Sequence, residues 1–202
     1  MSGEGQIFVL SGPPGAGKST IAARVREDMP DLAYSVSLTT RKPRPGEQDG
    51  VDYHFVSRED FQHRIQAGEM AEYEEIFGNL YGTSEKIVRQ ALDQGQDLFL
   101  DTDVNGAESL SKSFPDGVFI FVIPPSFAEL ESRLRGRGTE DEAQLELRLG
   151  RVKYELSKAF NSTHLVVNDN LEKAVAEVEA IITASRRRTQ RHLKLLEEFQ
   201  AS

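Results

Sequence analysis

A glycine-rich segment directly behind a short apolar run constrains the fold of this chain more than any other feature. The segment Gly12–Ser19 reads Gly-Pro-Pro-Gly-Ala-Gly-Lys-Ser, which fits the pattern of a glycine, four residues, and then Gly-Lys followed by Ser or Thr. The preceding run, Gln6–Leu10, predicts a buried strand. Behind the glycines, Ser19–Met29 predicts a helix that Pro30 ends. The sequence therefore predicts a strand, a sharp turn and a helix in immediate succession.

The residue types in this turn suit a polyphosphate ligand. Glycine lets backbone N–H groups turn inward and approach an anion closely, and the N-terminal end of the following helix adds positive charge. We expect the Lys18 ammonium to reach the β- and γ-phosphates of a nucleotide and the Ser19 hydroxyl to bind Mg²⁺. The predicted nucleotide loop consists of Gly12, Pro13, Pro14, Gly15, Ala16, Gly17, Lys18, Ser19 and Thr20. A turn without a nucleotide is the alternative, and the loop alone leaves a GTPase, an ATPase or a small-molecule kinase open.

Strands and helices alternate along the rest of the chain. Apolar runs at Leu98–Leu100 and Val118–Ile123 predict two further core strands that are apolar on both faces, and Leu165–Val167 predicts a fourth strand. The predicted helices between and after them are Gly106–Lys112, Ser126–Arg135, Glu142–Phe160 and Leu171–Ala184. This order indicates an α/β fold in which helices cover a parallel central sheet.

Residues 35–95 interrupt this alternation. They predict a loop rich in proline and glycine at Thr39–Gly50, short strands at Tyr53–Val56 and Ala71–Phe77, and helices at Ser57–Ala67 and Ser84–Gln94. We interpret this range as a small mixed α+β insertion with its own sheet. The core is then expected to comprise residues 1–34, 96–134 and 148–184.

The last segment, residues 185–202, is rich in Arg and Glu. We expect a charged surface helix here, with Leu193, Leu196 and Phe199 on its inner face. A tail that binds a partner is the alternative.

The composition excludes several classes of function. A formal net charge of −9 argues against a general nucleic-acid binder, whose domain would usually be strongly basic. The chain contains no cysteine, so disulfides, thiolate catalysis and cysteine zinc sites are excluded, and a cytoplasmic location is expected. The polar start at Met1–Gln6 predicts no secretory signal, and the longest apolar run, Val118–Ile123, is too short for a membrane span.

A second constellation of charged residues lies in Ser37–Tyr53. Arg41 and Arg44 are three residues apart and are stiffened by neighbouring prolines. Planar guanidinium groups bind a phosphate through paired hydrogen bonds, and Tyr53 could add a hydroxyl donor. On the residues alone, a solvated basic surface loop remains the alternative.

The stretch Ser37–Phe55 is similar to the GMP-binding segment of guanylate kinases, a family of P-loop nucleoside monophosphate kinases. It meets every fixed position of the family pattern Ser-x-Thr-Thr-Arg-x-Pro-Arg-x-Gly-Glu-x-x-Gly-x-Asp-Tyr-x-Phe. Further matching blocks follow in family order at Gly68–Tyr73, Gly78–Thr83, Leu100–Gly106, Arg133, Gly136–Thr139, Arg148 and Val167–Asp169. The resemblance covers about residues 6 to 184. It implies the three-layer P-loop NTPase fold, with a mobile lid at residues 135–147.

The resemblance assigns roles on the acceptor side by position. It implies a clamp on the GMP phosphate formed by Arg41, Arg44, Tyr53 and Tyr81. It implies that Glu72 reads the guanine base, helped by Ser37, Thr83 and Asp103. The chemistry agrees, because a carboxylate accepts two hydrogen bonds and guanine offers two neighbouring donors, its N1–H and its amine. Without the resemblance, Glu72 would be predicted as an exposed strand residue.

The resemblance also assigns the donor side. It implies that Asp101 lies near the magnesium and acts through water, although a strand-end aspartate on its own is equally often a helix or turn cap. It implies contacts to ATP from Arg133 and Arg137 and contacts to the adenine from Asn168 and Asp169. The residues implied to act on the transferred phosphoryl group are Lys18, Arg41, Arg137 and Arg148. On the residues alone, the lid arginines could instead form a charged helix face neutralised by Glu140, Asp141 and Glu142.

The implied activity is transfer of the γ-phosphate of Mg·ATP to GMP, and to dGMP. We expect a monomer, because the motif residues need no second chain, and we expect no binding to nucleic acid or membrane. The chain departs from the family pattern at Pro14 and Leu80. Pro14 removes one amide donor from the glycine loop, and we expect a modest change in ATP affinity at most. A guanylate-kinase-like scaffold domain without catalysis and a related kinase with another acceptor, such as a ribose bisphosphate kinase, are the alternatives. The intact Lys18 and Ser19 argue against the scaffold.

Overall fold

Strands and helices alternate through most of the protein, as a computed structural model shows for residues 5–76, 78–135 and 142–201, with the backbone alone for 142–148. In chain order the elements are β1 (Ile7–Ser11), α1 (Lys18–Asp28), β2 (Ala33–Tyr34), β3 (Leu38–Thr39), β4 (His54–Phe55), α2 (Arg58–Gln66), β5 (Met70–Ile76), β6 (Asn79–Ser84), α3 (Glu85–Asp93), β7 (Leu98–Asp101), α4 (Val104–Ser113), β8 (Val118–Ile123), α5 (Phe127–Arg135), α6 (Glu142–Ser157), β9 (His164–Val167), α7 (Leu171–Arg186) and α8 (Leu193–Gln200). Short 3₁₀ turns lie at Lys158–Asn161 and Thr189–His192.

The central sheet has the strand order β2-β7-β1-β8-β9, and every neighbouring pair is parallel. Parallel pairing requires crossover connections, which the helices between the strands supply. The predicted parallel central sheet is therefore confirmed. Strand β2 was not predicted, because two residues carry too little pattern to be recognised in the sequence.

Helices cover both faces of this sheet. Successive residues of a strand point to opposite faces, so Phe8 and Leu10 pack in one cluster and Ile7 and Val9 in another. Helices α1 and α7 cover the Phe8 face, and α3 and α4 cover the Ile7 face. Each fully buried side chain of this size contributes about 1.5–3 kcal/mol to folding. The arrangement confirms the three-layer fold.

Strands β4, β3, β6 and β5 form a second, mixed sheet in that order. Strand β3 is parallel to β4 and antiparallel to β6, and β5 is antiparallel to β6. Leu38, Phe61 and Leu80 form its small core with α2. The Ser57 hydroxyl accepts a hydrogen bond of 3.0 Å from the Asp60 N–H, which caps α2 as predicted. The predicted strands at β4 and β5 are present, and β3 and β6 join them.

Several predicted boundaries differ from the structure. Helix α4 begins at Val104 rather than Gly106, because the Asp103 carboxylate caps it through the Gly106 N–H at 2.7 Å. The helix predicted to reach Phe160 ends at Ser157 and continues as a 3₁₀ turn. Helix α3 falls in the range 35–95 that we assigned to the insertion, and its Val88 packs against the central sheet.

The C-terminal helix forms, but the expected inner face is wrong. Leu193, Leu196 and Phe199 are 51%, 45% and 75% exposed. The spacing of these residues predicts an amphipathic helix. It does not tell whether another part of the protein is free to pack against the apolar side of that helix. Both faces of the central sheet are already covered by other helices. Over the described ranges, no helix is both long and apolar enough to cross a membrane.

Candidate active site

The turn between β1 and α1 has a shape that its glycines alone permit. Gly12 and Gly17 have φ angles of 143° and 93°, which L side chains rarely adopt. A Cβ atom on Gly12 would lie 2.2 Å from the Val122 carbonyl oxygen, and one on Gly17 would lie 2.3 Å from the Asn168 amide nitrogen. The turn ends at Lys18, the first residue of α1, so the N–H groups of the loop and the helix start face the same region.

Lys18 lies over this turn. Its Nζ donates to the carbonyl oxygens of Gly12 at 2.5 Å and Pro13 at 3.2 Å. Ser19 and Thr20 follow in the first turn of α1 and are exposed. The predicted nucleotide loop thus forms a tight turn, with the Lys18 ammonium against its first carbonyl groups.

Asn168 is hydrogen-bonded to the glycine turn. It is 6% exposed, and its Nδ2 donates to the Ala16 carbonyl at 2.8 Å. Arg133, in α5, donates from Nη2 to the Asn168 carbonyl at 3.0 Å and from Nε to Glu129 at 2.8 Å. Asp169 is exposed and accepts from the Asn170 N–H at 2.8 Å. Of the residues predicted on the ATP side, Asn168 and Arg133 therefore connect α5 to the glycine turn.

Asp101 ends β7, beside Leu10 of β1, and has a partner that sequence reasoning missed. The Tyr34 hydroxyl, at the end of β2, donates to Asp101 Oδ1. The Arg26 guanidinium lies 3.9 Å from the centre of the Tyr34 ring. Burial first, and then the Asp101 carboxylate, raise the pKa of Tyr34 above its usual value, so this hydroxyl remains a donor.

The residues at this edge fit magnesium by their chemistry. Ser19 and Asp101 supply hard oxygen ligands, and Asp101 keeps one carboxylate oxygen beyond the bond to Tyr34. No group of three or more His, Cys, Asp or Glu residues is placed for a metal within the part of the chain that the structure describes. A magnesium ion at this edge would therefore depend on nucleotide phosphates and water for its other ligands.

The acceptor clamp gathers around Arg41. Its guanidinium forms two hydrogen bonds with Glu47, at 2.8 and 2.9 Å, and lies 5.3 Å from the centre of the Tyr53 ring. The Tyr81 ring centre is 6.0 Å from that of Tyr53, and Tyr81 contributes to raising the pKa of Arg41. Arg44 shares Glu47 through its backbone N–H at 2.7 Å, and its side chain is exposed.

Glu47 was part of the matched pattern, but no role was predicted for it. Hydrogen bonding to Arg41 lowers its pKa, so it is a carboxylate held in a guanidinium fork. A planar carboxylate and a phosphate oxygen pair bind guanidinium in similar ways. The Arg41 guanidinium is thus held in an orientation that binds two oxygens of one anion.

Glu72 is buried, with 6% exposure, so the alternative of an exposed strand residue is wrong. It faces Thr83 across the β5–β6 pair, and its Oε1 accepts from the Thr83 hydroxyl at 2.6 Å. Burial raises the pKa of Glu72 to about 7, against the opposing effect of hydrogen bonds from Thr83 and Thr102. Ser37 lies just before β3, and its carbonyl accepts from the His54 N–H at 2.9 Å.

Two further carboxylates, those of Glu74 and Asp103, lie beside Glu72. Burial, and then a hydrogen bond with Glu74, raise the pKa of Asp103. Burial opposes ionisation of Glu74 as well, but hydrogen bonds from Asp103, Asn105 and Arg151 outweigh it and lower its pKa. Glu74 accepts from Asn105 at 2.8 Å and from Arg151 at 2.7 Å. These contacts, which the sequence did not predict, join β5 to α4 and α6.

Two predicted catalytic residues cannot be placed. Arg137 lies outside the described residues, together with Glu140 and Asp141. Arg148 lies in α6, where the backbone alone is described.

A glycine turn between strand and helix, an acidic residue at the end of the neighbouring strand, and a parallel sheet between two helical layers define a P-loop nucleotide-binding protein. The sequence model of the guanylate kinase family matches residues 4–185. The chain belongs to the guanylate kinase family.

Individual relatives support the family over nearly the whole chain. The guanylate kinase of Latilactobacillus sakei is 46% identical over 192 residues, covering 95% of each chain. That of Enterococcus faecalis is 45% identical over 204 residues, covering 98% of this chain and 100% of the relative. The crystal structure of guanylate kinase from Anaplasma phagocytophilum matches with a TM-score of 0.78 at 33% identity, covering 95% of this chain and 91% of that one.

Proposed function

We propose that the chain transfers the γ-phosphoryl group of Mg·ATP to GMP, yielding ADP and GDP, and accepts dGMP as well. The observation that carries this proposal is the buried Glu72, whose carboxylate accepts a hydrogen bond from the Thr83 hydroxyl within the second sheet. A buried acceptor suits a base that offers two adjacent donors, and adenine does not offer them at that edge. A mismatched base would leave the carboxylate unpaired, at a cost of about 1–3 kcal/mol or more.

On the donor side, the loop Gly12–Thr20 binds the ATP phosphates through its N–H groups, and the Lys18 ammonium moves from the loop carbonyls to the β- and γ-phosphates. Ser19 and Asp101 would hold the magnesium, Asp101 through water. Bound there, the metal neutralises charge on the phosphate oxygens.

On the acceptor side, Arg41, Arg44, Tyr53 and Tyr81 bind the GMP phosphate. An oxygen of that phosphate attacks the γ-phosphorus, and the bond from the γ-phosphorus to the bridging oxygen breaks, so that ADP leaves. Such transfer depends on alignment and on spread positive charge, for which Arg41, Arg137 and Arg148 are the candidates. We further propose a monomer, since the assigned side chains lie in one chain.

The alternatives are weaker. A scaffold domain does not need the intact glycine turn with Lys18 at its mouth. A related kinase with another acceptor does not need the Glu72 site. Either alternative would be revealed by the same assay.

The test is ADP production from Mg·ATP with GMP, AMP, CMP, UMP or no acceptor. We expect rapid turnover with GMP alone. Turnover with another acceptor in preference to GMP would refute the assigned reaction, and GMP binding without turnover would favour a scaffold.

A substitution ties the reaction to Glu72. Glu72→Gln places an amide donor against the guanine donors, so we expect the KM for GMP to rise about 100-fold or more, with ATP binding little changed. Steady-state kinetics and ATP titration measure both. Glu75→Gln, on the exposed side of the same strand, is the matched control. Unchanged GMP kinetics in Glu72→Gln would show that another group reads the base.

A further inference from the structure

Thr102 lies between the acceptor site and the end of β7, and the sequence analysis gave it no role. Its backbone N–H donates to the Leu10 carbonyl at 3.0 Å, which fixes it to the central sheet. Its hydroxyl lies near the Glu72 carboxylate and acts to lower the pKa of that group. Glu72 belongs to the second sheet, so Thr102 brings a hydroxyl from the end of the central sheet to the predicted base site.

Gly106 shows how closely these two side chains meet. A Cβ atom added to Gly106 would lie 2.3 Å from Thr102 Oγ1 and 2.5 Å from Glu72 Oε2. Both oxygens therefore lie close to Gly106 at the start of α4, where the lack of a side chain leaves room for them. The other carboxylate oxygen, Glu72 Oε1, receives the Thr83 hydroxyl at 2.6 Å. Glu72 therefore accepts a hydrogen bond from the Thr83 hydroxyl at one oxygen and has the Thr102 hydroxyl close to the other.

This arrangement has a chemical consequence for recognition. Each carboxylate oxygen can accept two hydrogen bonds, so a hydroxyl on an oxygen leaves a lone pair for a ligand donor. A hydroxyl that donates favours the ionised carboxylate, the form that accepts from a base. Burial and the neighbouring Glu74 act in the opposite direction on Glu72. The Thr83 and Thr102 hydroxyls oppose these effects and favour the ionised form that accepts from a base.

We propose that Thr102 is a specificity-determining positioning residue, whose hydroxyl holds Glu72 as an oriented acceptor for the two donors of the guanine edge. The proposal rests on the proposed role of Glu72. It assigns the side chain of Thr102 to the acceptor base. Of its two neighbours in the chain, Asp101 accepts from the Tyr34 hydroxyl and Asp103 caps α4.

The test compares Thr102→Val, which removes the hydroxyl at constant shape, with Thr102→Ser, which keeps it. We expect Thr102→Val to raise the KM for GMP by about 10- to 100-fold, the effect of losing one hydrogen bond to a charged group, with little change in kcat or in the KM for ATP. Thr102→Ser should restore the KM for GMP to near the wild-type value. Thr183→Val, on exposed α7 surface, is the control for loss of a threonine hydroxyl.

A pH series gives a second readout, which a purely structural role would not change. Glu72 binds the base when ionised, so the KM for GMP should rise as the pH falls through the pKa of Glu72. The charged or titratable neighbours that face it are Glu74 and Asp103, with Arg151 beyond Glu74. In Thr102→Val this rise should begin at higher pH than in the wild type. The second ionisation of the GMP phosphate, near pH 6, is common to both proteins and cancels in the comparison.

The outcomes separate this proposal from the proposed function. If the wild type does not use GMP, the reaction itself is wrong. If the wild type uses GMP and Thr102→Val keeps its KM and its pH profile, the role of Thr102 is refuted while the reaction stands. A fall in kcat alone, or a Thr102→Ser variant as impaired as Thr102→Val, would also overturn it. Thermal unfolding shows whether Thr102→Val is still folded. If it is not, the KM for GMP of Thr102→Ser, compared with the wild type, is the test.

Discussion

The hydroxyl of Tyr34 and the carboxylate of Asp101 form a hydrogen bond that reserves one oxygen of that carboxylate. The ring of Tyr34 is itself held by Arg26 of α1, so the carboxylate is oriented by residues of two other elements. A single hydroxyl thereby limits how Asp101 can approach the metal that we propose for this edge of the sheet. At the residue scale, the orientation of the Asp101 carboxylate therefore depends on Tyr34, a residue outside every sequence motif.

Tyr34→Phe tests this dependence. Asp101 then loses one constraint, and we expect the Mg²⁺ concentration for half-maximal rate to rise about 3- to 10-fold, the effect of one hydrogen bond. The KM for GMP and the metal-free affinity for ATP, measured by titration, should be unchanged. Tyr73→Phe, which removes a hydroxyl from a half-exposed ring, is the control. An unchanged Mg²⁺ requirement would show that Tyr34 does not orient Asp101.

At the scale of elements, Glu74 joins three of them. It lies on β5, accepts from Asn105 of α4, and forms an ion pair of 2.7 Å with Arg151 of α6. Arg151 also pairs with Glu155 at 3.0 Å, one turn further along α6. The acceptor sheet is thus tied to the helix that follows the predicted lid.

A double-mutant cycle of Glu74→Ala and Arg151→Ala measures this connection. Because Glu74 is mostly buried, we expect a coupling of about 1 kcal/mol in the free energy of unfolding, measured by urea denaturation. The exposed ion pair of Arg58 and Glu75 is the control cycle, for which we expect about 0.2–0.5 kcal/mol. Additive effects at Glu74 and Arg151 would mean that the pair does not stabilise the connection.

The elements that sequence reasoning recovered differ physically from those that it missed. Strand Val118–Ile123 is apolar along its length, and α1 has a helical pattern behind a glycine turn. Strands such as Ala33–Tyr34 and Leu38–Thr39 are two residues long and depend on the partner that pairs with them.

The candidate site divides in the same way. Lys18 lies in a local pattern, and Arg41 and Glu72 were assigned through blocks that resemble the family, whereas the bond between Glu74 and Arg151 spans 77 residues. Contacts of that range arise from folding and leave no local signal. For this reason the supporting contacts of Tyr34, Thr102 and Glu74 could not be predicted.

At the scale of the whole molecule, Asp97 connects distant parts of the chain. It directly precedes β7 and is 11% exposed as a side chain. It accepts from the Gln6 N–H at 3.0 Å, from Arg186 at 2.9 Å and from Arg191 at 2.6 Å. Two arginines of the C-terminal segment, whose purpose the sequence left open, are thus held against the start of β7.

Asp97→Asn tests the weight of this contact. Two mostly buried guanidinium groups lose their shared carboxylate, so we expect a loss of about 1–3 kcal/mol in the free energy of unfolding. Chemical denaturation measures it, and Asp93→Asn at the exposed end of α3 is the control. Since Asp97 lies at the amino end of β7, the KM values and kcat should not change. Altered kinetics would mean that this contact reaches the site.

The meeting of Gln6 and Arg191 at Asp97 has a practical consequence for experiments on surfaces. Parallel strands place all their amino ends on one edge, and the glycine turn, Asp101 and Thr102 follow their carboxyl ends on the other. An immobilisation handle near residue 6 and one near residue 191 would therefore attach to the same side of the molecule. With either attachment, the edge of the sheet that holds the glycine turn points away from the sensor surface. The protein can therefore be immobilised through either segment while the proposed nucleotide site stays accessible to substrates.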